Sequence, residues 1–328
     1  MRSFKFTKGL HDLGNGLWGY LQPDGGWGWS NAGLIEDSGQ TLLVDTLFDV
    51  PLTQEMLATM RAAVPAARDI NTLVNTHGNG DHVFGNQLFE GKRIIASPGC
   101  IEDMQSRPPE QLVEWTANWR NMGVAGHFWY EVMGSKFDFA SVRLTLPNET
   151  FERELTLQVG NKEVNLVDVG PAHTRGDVLV YVPQDRTVFT GDILFVNGHP
   201  AIWAGPVSNW IAACDRMLAW DVETVVPGHG PITDKSGVRA LKDYLVYLMA
   251  ESKKCRDEGM TFEQAADKIS LTRFAHWGEA ERIYVNVHAC YRDLAPVPDR
   301  AASEVARMDL LALMGKRYFA NKAGQRAS

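Results

Sequence analysis

The chain has 328 residues, of which 45% are hydrophobic and 22% charged, and its formal net charge is −8. This composition is that of an ordinary soluble globular protein, and the length suffices for one large domain or for a core domain with an accessory layer. The negative charge argues against a nucleic-acid backbone or an anionic membrane surface as the partner. We therefore expect a small-molecule partner.

Cysteine usage and apolar runs bear on the cellular compartment. The four cysteines are widely spaced and form no CxxC pair, which excludes a cysteine zinc knuckle. Buried free thiols in a reducing compartment are the simpler interpretation. The N-terminal segment has no apolar stretch long enough for a signal peptide, and no run of about 18 apolar residues predicts a transmembrane helix. We expect a cytoplasmic protein without membrane contact.

The first third of the chain alternates short strands with glycine-containing turns. Residues 32–36 and 40–45 are predicted as the two strands of a hairpin, because an Asp-Ser-Gly turn sequence joins them. Residues 51–63 have apolar side chains at a spacing that predicts a helix. A short buried strand at 70–75 then enters a glycine-rich turn, after which we expect another helix.

Strands alternate with helix-like segments from Gly160 onwards, which predicts a layered α/β fold. We predict four strands there, at residues 163–169, 178–182, 187–190 and 224–226. The pattern then becomes helical, with one helix ending before Gly259 and a capping box of Thr261 and Gln264 opening the next. The polar and basic residues 315–328 are predicted to form a loose tail.

One aromatic segment, residues 105–135, interrupts this α/β pattern. It contains Trp115, Trp119, Phe128, Trp129 and Tyr130. A helical insertion that packs its aromatic side chains on the core would explain them. Ligand pockets are lined by the same kinds of group, so a lid or pocket wall is an equal alternative. A subunit contact in a homodimer is the third interpretation.

The most informative stretch, residues 75–86, has the sequence NTHGNGDHVFGN. It follows a predicted strand and places His77, Asp81 and His82 within six residues, with glycines between them. Two imidazoles and a carboxylate are good ligands for a divalent ion such as zinc. The glycines permit tight turns, so that neighbouring side chains can converge on one point instead of alternating.

Three further candidate ligands each follow a predicted strand and lie close to a glycine. They are His173, Asp192 and His229. A single loop histidine is usually a surface residue, and a single Gly-Asp pair is usually a turn. Side chains at successive strand ends, however, can meet at one edge of a sheet sandwich. The four pieces together therefore predict a metal site assembled from distant parts of the sequence.

In this order the pieces resemble the metallo-β-lactamase superfamily. The family carries His-x-His-x-Asp-His after a strand, then a histidine, an aspartate in a Gly-Asp pair, and a final histidine near Gly-His-Gly. The hairpin at 32–45, with Asp45 at its end, also resembles the opening hairpin of the family. The resemblance covers roughly residues 15–235 and implies an αββα sandwich with the metals at the shared edge of the two sheets.

We therefore predict an α/β fold, a four-layer αββα metallo-β-lactamase-like sandwich with a helical insertion and a helical C-terminal layer. The main domain is predicted at residues 1–235, with the insertion at 105–135 inside it. The helical layer is predicted at 236–303, and a C-terminal segment with its tail at 304–328.

The sequence departs from the family pattern at Asn79, where the family has a histidine. The resemblance implies a first ion held by His77, position 79 and His173, a second held by Asp81, His82 and His229, and a bridge through Asp192. An amide oxygen is a weaker zinc ligand than an imidazole. The first site is thus expected to be weak, or to hold a water at Asn79, so that one or two ions bind.

The resemblance also implies a hydrolase. A divalent ion lowers the pKa of bound water from about 16 towards about 7. The metal-bound hydroxide would attack the carbonyl of a small ester, thioester, lactone or lactam, with Asp81 as the catalytic residue that orients or deprotonates the water. Zinc is the expected cofactor, although the same ligands also bind iron or manganese. No Gly-x-Ser-x-Gly sequence is present, which argues against a serine hydrolase.

Five more residues are candidates for the substrate pocket: Trp27, Trp29, His199, Trp203 and Arg175. Trp27 and Trp29 lie in the glycine-rich loop before the first hairpin, and His199 and Trp203 follow Asp192 in a segment that we expect to line the pocket. Arg175 is close enough to His173 in sequence to meet a substrate carboxylate. Each has a structural alternative, as a packed tryptophan, a loop histidine or an arginine in a surface pair.

A function of a different class stays open. Asn79 also fits a metal-binding protein of weak catalytic activity that uses the same fold to bind or sense a ligand. The other predicted ligands argue against it, because they are intact. A redox reaction at iron, bound by the same histidines and carboxylates, is the third interpretation.

Overall fold

Two β-sheets form the framework that carries the predicted ligands. The computed structural model describes residues 4–296 and 305–327. The first sheet contains seven strands in chain order: β1 (Gly9–Gly14), β2 (Leu17–Leu21), β3 (Ala32–Asp37), β4 (Gln40–Val44), β5 (Thr72–Val74), β6 (Arg93–Ala96) and β7 (Glu149–Thr150). Strands β1 to β4 are antiparallel, and β4 to β7 are parallel. The predicted hairpin is confirmed as β3 and β4.

The second sheet contains five strands: β8 (Glu154–Val159), β9 (Lys162–Asp168), β10 (Val178–Val182), β11 (Thr187–Phe189) and β12 (Thr224–Val226), in the order β12-β11-β10-β9-β8. Strands β11 and β12 are parallel, and the other neighbours are antiparallel. The four strands predicted in this region are confirmed as β9 to β12. Because β9 and β11 both run antiparallel to β10, strands β9, β11 and β12 end at the same edge.

Each sheet has an inner and an outer apolar face, because successive residues of a strand point to opposite sides. In β4, Leu42 and Val44 pack between the two sheets, whereas Leu43 packs on the outside. In β10, Val178 packs inside and Leu179 packs outside. Strands that are apolar on both faces need a covering layer on each side of the sandwich.

Helices supply both covering layers. The described residues form ten α-helices: α1 (Val50–Ala63), α2 (Gly80–Val83), α3 (Pro98–Ser106), α4 (Pro109–Asn118), α5 (Gly123–Trp129), α6 (Val207–Ala219), α7 (Lys235–Asp257), α8 (Phe262–Lys268), α9 (Ile283–Leu294) and α10 (Arg307–Ala327). Met56 and Met60 of α1 pack on the first sheet, while Trp210 of α6 and Leu241 of α7 belong to the cluster on the second. The layers are therefore αββα, as predicted.

The aromatic segment at 105–135 is helical and contains α4 and α5. Phe128 and Trp129 are buried in the core. Trp115 lies edge-on to Trp129, with ring centroids 5.4 Å apart, and both residues line the cavity that the predicted ligands share. The segment therefore packs on the core and also forms part of a pocket wall.

The loose tail predicted at the C-terminus is wrong for the residues that the structure describes, because they form the helix α10. Leu311 and Met314 bury one face of this helix, whereas Lys316 is exposed. A β-carbon at Gly315 would lie 2.8 Å from Cβ of Phe128, so the glycine allows α10 to pack closely on α5. Glycine lowers helix propensity, which is why the sequence pattern did not indicate a helix here.

The helical layer predicted at 236–303 contains α7, α8 and α9. The predicted capping box is confirmed: Thr261 Oγ1 accepts from the Gln264 amide at 3.3 Å, and Gln264 Oε1 accepts from the Thr261 amide at 3.0 Å. The predicted boundary at residues 303 and 304 lies outside the described residues, and the division into domains stays a prediction. None of the described helices combines the length and the hydropathy that crossing a membrane requires.

We predict that Gly33→Ala destabilises the sandwich. Gly33 of β3 faces the second sheet, where an added β-carbon would lie 2.4 Å from the ring of Phe189. Overpacking of this kind costs about 1–3 kcal/mol, measurable as a lower free energy of unfolding in urea. Gly278→Ala is the control, because its β-carbon would meet only the Asn197 carbonyl at 3.9 Å. Equal stability of the two variants would contradict the tight contact between the sheets.

Candidate metal centre

All six predicted metal ligands are buried together at the edge where β5, β9, β11 and β12 end. They are His77 after β5, Asp81 and His82 in α2, His173 after β9, Asp192 after β11 and His229 after β12. The backbone amide of Val178 donates to the carbonyl of Thr76 at 2.8 Å, which joins the two sheets at this edge. The strand ends therefore place side chains from distant parts of the sequence around one point.

Asp192 lies at the centre of this group. Its Oδ2 is 3.2 Å from Nε2 of His173 and 3.7 Å from Nε2 of His77. Its Oδ1 is 3.1 Å from Nε2 of His82 and 3.4 Å from Nε2 of His229. The carboxylate thus divides the four imidazoles into two pairs, one on each oxygen. A ligand shared by two ions would need this arrangement.

Asp45 and Thr76 orient two of the four rings. Asp45 is buried after β4, and its Oδ2 lies 2.9 Å from Nδ1 of His82. Thr76 donates to Asp45 from its backbone amide and from its hydroxyl, both at 2.7 Å. The same hydroxyl oxygen lies 3.1 Å from Nδ1 of His77. In both rings Nδ1 is engaged, so Nε2 is the atom left for a metal.

Backbone carbonyls orient the other two rings. Nδ1 of His173 lies 2.6 Å from the carbonyl oxygen of Ala201, and Nδ1 of His229 lies 3.1 Å from that of Gly25. A carbonyl oxygen only accepts, so Nδ1 donates in each case and Nε2 faces the centre. All four rings therefore present the same nitrogen to Asp192.

Three buried atoms at the centre make no hydrogen bond of acceptable geometry: His77 Nε2, His82 Nε2 and Asp192 Oδ1, although the last two lie 3.1 Å apart. Buried polar atoms are nearly always paired, and a divalent ion would pair all three. In each of two groups, one ligand atom per residue lies within 4.8 Å of the others. The first group is His77, His82 and Asp192, and the second is Asp81, His82 and His229. The residues present therefore fit a divalent metal, whether zinc, iron or manganese.

The buried acids and imidazoles of the centre compete for protons. Burial alone would lower the pKa of His229, but Asp192 and Asp81 outweigh it and raise this pKa to about 9. Burial lowers the pKa of His173 to about 4, against the opposing effect of Asp192. Burial would raise the pKa of Asp192, but the imidazoles, first that of His229, hold it well below its usual range. The buried carboxylates thus require positive charge nearby, which protons or metal ions supply.

Asn79 lies beside His173 but turns its amide oxygen away from it. Nδ2 donates to Nε2 of His173 at 2.8 Å, while Oδ1 accepts from Nη1 of Arg107 at 3.2 Å. The oxygen is the metal-binding atom of an amide, and a guanidinium only donates, so Arg107 holds that oxygen outside the group of ligands. Asn79 therefore connects Arg107 to the centre, and its role as a water holder stays a prediction.

A cavity opens onto Asp81, His173, Asp192 and His229. Its walls are largely aromatic and aliphatic, and include Trp27, Phe84, Leu112, Trp115, Trp129 and Trp203. Arg107, Arg282 and Arg307 also line it. Apolar walls with a few convergent polar groups are typical of a site for a small molecule.

Two of the five residues predicted for the pocket, Trp27 and Trp203, line this cavity, with ring centroids 6.4 Å apart. Trp29 does not, because its ring packs on Phe137 at 4.7 Å. The chain turns between Trp27 and Trp29 at Gly28, whose φ is +77°. The side chains of Trp27 and Trp29 therefore differ in their surroundings: the first lines the cavity and the second packs on Phe137.

His199 and Arg175 also lie outside the cavity. The ring of His199 is buried between Tyr244 and Trp277, with centroids 5.2 and 5.6 Å away. Burial lowers its pKa to about 3, so it stays neutral there. The guanidinium of Arg175 is half-exposed and lies 3.4 Å from Asp103, which is the surface pair that the sequence left as its alternative.

Four functional residues of the site are absent from the sequence predictions: Asp45 as an orienting carboxylate, and the arginines 107, 282 and 307. Asp45 had a signal, because it ends a strand at the same edge as the ligands. No such signal in the sequence marked the three arginines. They lie at or beside helices, where an arginine usually belongs to the solvated face.

The fold and the site together define the class of the protein, that of αββα sandwiches with a cluster of histidine and aspartate side chains at the shared edge of the two sheets. Residues 25–229 match the sequence model of the metallo-beta-lactamase superfamily. The chain belongs to this superfamily.

Similar proteins are found among curated sequences. The chain is 22% identical over 329 residues to the linear primary-alkylsulfatase of Pseudomonas sp. (strain ATCC 19151), covering 87% of this chain and 60% of that protein. It is 21% identical over 206 residues to the 2,4-dinitroanisole O-demethylase subunit alpha of Nocardioides sp. (strain JS1661), covering 60% of this chain and 51% of that protein. The chain thus spans little more than half the length of these relatives.

Solved structures share the fold. The stereoselective inverting sec-alkylsulfatase Pisa1 from Pseudomonas sp. matches with a TM-score of 0.65 and 17% identity, over 89% of this chain and 52% of that chain. A metallo-beta-lactamase from Pontibacter korlensis matches with a TM-score of 0.53 and 19% identity, over 72% of this chain and 98% of that chain. The αββα core is therefore common to both.

We predict that Asp45→Asn weakens metal binding. The substitution keeps the shape of the side chain but removes the charge that orients His82. Loss of such an outer partner typically lowers metal affinity about 10–100-fold, which competition with a chromophoric chelator measures. Asp221→Asn, at an exposed position paired with Arg186, is the matched control and should bind metal like the wild type. Unchanged affinity in Asp45→Asn would show that His82 needs no partner.

Proposed function

We propose that the protein is a metal-dependent hydrolase that cleaves an ester bond in a small, partly apolar substrate. The observation that carries the proposal is the convergence of four imidazole Nε2 atoms on the Asp192 carboxylate at one side of an aromatic cavity. Membership of the metallo-beta-lactamase superfamily supports the reaction class.

In this proposal the ligands divide into two sets. His77, His173 and Asp192 would hold a first ion, and Asp81, His82 and His229 would hold a second, with Asp192 shared between them. Divalent ions bound there would supply an activated water and polarise the bond under attack. The second set is the more complete, because Asn79 turns its oxygen away from the first. We expect one or two ions, with zinc preferred over iron or manganese.

Asp81 is the residue proposed to orient the attacking water. Its Oδ2 lies 3.3 Å from Nε2 of His229, and the hydroxyl of Ser30 donates to its backbone carbonyl at 2.5 Å. Asp81 is ionised, because His229 outweighs its burial and lowers its pKa. An ionised carboxylate that lines the cavity can hold one proton of a water molecule as well as contact a metal.

The bond that is cleaved has two candidates. The sequence favours a carbonyl, in an ester, thioester, lactone or lactam. A sulfate ester is the second candidate, since two of the similar proteins are named as alkylsulfatases and three arginines line the cavity. For either reaction we propose a small-molecule substrate, and the proposal includes no nucleic acid or membrane partner. A cytoplasmic location and a homodimer also stay predictions.

A panel of nitrophenyl esters separates these candidates from a ligand sensor. The zinc-loaded protein should release nitrophenol from nitrophenyl butyrate if it cleaves carbonyl esters, or from nitrophenyl sulfate if it cleaves sulfate esters. Absence of turnover on every member, with metal bound, would favour the alternative of a catalytically weak binding protein.

We predict that Asp81→Ala and His229→Ala each abolish activity and lower metal content per chain. Each removes a ligand of the more complete set, which no neighbouring side chain replaces. Elemental mass spectrometry measures metal content, and the nitrophenyl panel measures activity. His127→Ala, at an exposed position where the ring lies edge-on to Trp119, is the matched control and should behave as the wild type. Full activity in either ligand variant would refute the assignment.

We predict that Asn79→His raises metal content towards two ions per chain. The imidazole would supply the ligand that the amide withholds from the first set. Elemental mass spectrometry after purification without chelator measures the change. An unchanged content would mean that position 79 does not belong to the first site, or that Arg107 holds the new ring away from it.

A further inference from the structure

Arg307 is a cavity-lining cation without a polar partner. It begins α10, and its guanidinium lies 3.8 Å from the ring centroid of Trp203. It makes no hydrogen bond and no ion pair with any residue that the structure describes. An arginine removed from bulk water normally has its donors satisfied, because the unpaired charge is costly. The stacking on Trp203 satisfies the face of the guanidinium and leaves its N–H donors free.

The other two arginines of the cavity have partners. Arg107 donates to Asn79 and lies 3.5 Å from Asp103. Arg282 donates to the carbonyl of His199 at 2.7 Å. Nε of Arg282 has no partner, but Arg307 is the member of this group that makes no hydrogen bond at all with the residues that the structure describes.

Arg307 also lies close to a like charge. Burial and the nearby positive charge of Arg107 together hold the pKa of Arg307 well below its usual range. An anion in the cavity would offset the loss of hydration, because it would accept from the free N–H donors. It would also reduce the repulsion between the two guanidinium groups.

Asn79 joins this pair of arginines to the centre. It accepts from Arg107 with its oxygen and donates to His173 with its nitrogen. The side chain of Asn79 therefore connects a group bound at the arginines to the predicted ligand His173. Trp115 and Trp129 line the same cavity. The cavity offers positive charge and apolar surface side by side, which suits an amphipathic anion.

We propose that Arg307, together with Arg107, receives an anionic group of the substrate, so that the substrate is an amphipathic organic anion such as an alkyl sulfate or an alkyl ester that carries a carboxylate. This inference rests on the proposed function, and it names the substrate class of the same site. In this proposal the apolar part of the substrate lies against Trp115 and Trp129 in the wall of the cavity. The C-terminal helix is thereby a specificity-determining element of the site.

The packing of α10 holds Arg307 in position. Phe128 of α5 contacts the ring of Tyr318 with centroids 5.4 Å apart, and Lys322 pairs with Glu131. Leu311, one turn after Arg307, lines the cavity as well. The helix therefore presents a cation and an apolar side chain to the same space.

Direct binding to the zinc-loaded full chain tests the inference without requiring turnover. Hexyl sulfate and hexanoate are the anionic probes, hexan-1-ol is the neutral probe of equal chain length, and isothermal titration calorimetry gives the dissociation constants. The wild type should bind at least one anion about tenfold more tightly than the alcohol, and the tighter of the two anions identifies the source. Equal binding of all three probes would overturn the inference.

Arg307→Gln should weaken binding of the tighter anion about tenfold or more and leave the alcohol unchanged, because one charge-assisted contact is lost. Arg307→Lys keeps the charge and should restore part of the affinity, which separates charge from packing. Arg120→Gln is the matched control, since Arg120 also stacks on a tryptophan, Trp119, but at an exposed position. Unchanged anion binding in Arg307→Gln, or an equal loss for the alcohol, would overturn the inference.

Turnover distinguishes this failure from that of the proposed function. Selective anion binding with no hydrolysis of any ester would reject the hydrolase and keep the anion site. Hydrolysis of neutral and anionic nitrophenyl esters at equal rates, unaffected by Arg307→Gln, would keep the hydrolase and reject the anion site.

Discussion

A buried carboxylate among four imidazoles is the constraint on which the rest of the site depends. Asp192 needs room on all sides, and the chain provides it with glycine. A β-carbon at Gly228 would lie 2.1 Å from Asp192 Oδ1. The glycine beside a ligand therefore does more than permit a turn, because it leaves space that the carboxylate itself fills. The surrounding strands then have to end within reach of the same oxygens.

Local patterns explain why so much of the fold and the centre could be predicted from the sequence. His77, Asp81 and His82 lie in one short motif, and strands such as β10 are marked by their apolar residues. The covering helix α1 shows its spacing in the same way. The ligands after β9, β11 and β12 follow from the rule that parallel strands end at one edge of a sheet. Each of these inferences uses residues that are close together in the chain or related by a simple repeat.

Long-range contacts explain what could not be predicted. Whether Arg307 faces water or a cavity depends on where α10 packs, and that depends on a close approach between Gly315 and Phe128. The segment around His199 is a second example. It was expected to place an imidazole in the pocket, but its contributions are the carbonyl of Ala201 and the ring of Trp203, while the imidazole packs behind them. A short loop has no periodic pattern from which one could predict which of its side chains faces the cavity.

The helices α4, α5 and α10 form part of the wall of the cavity, and α5 packs on both of the others, whereas the candidate ligands all follow strands or lie in α2. Chemistry and selectivity are thus borne by separate parts of the chain. Substitutions in the wall can alter which molecule fits without moving a ligand, and each part can change at its own pace. A scaffold divided in this way offers a short mutational route from one substrate to another, and for the same reason shared ligands say little about shared substrates.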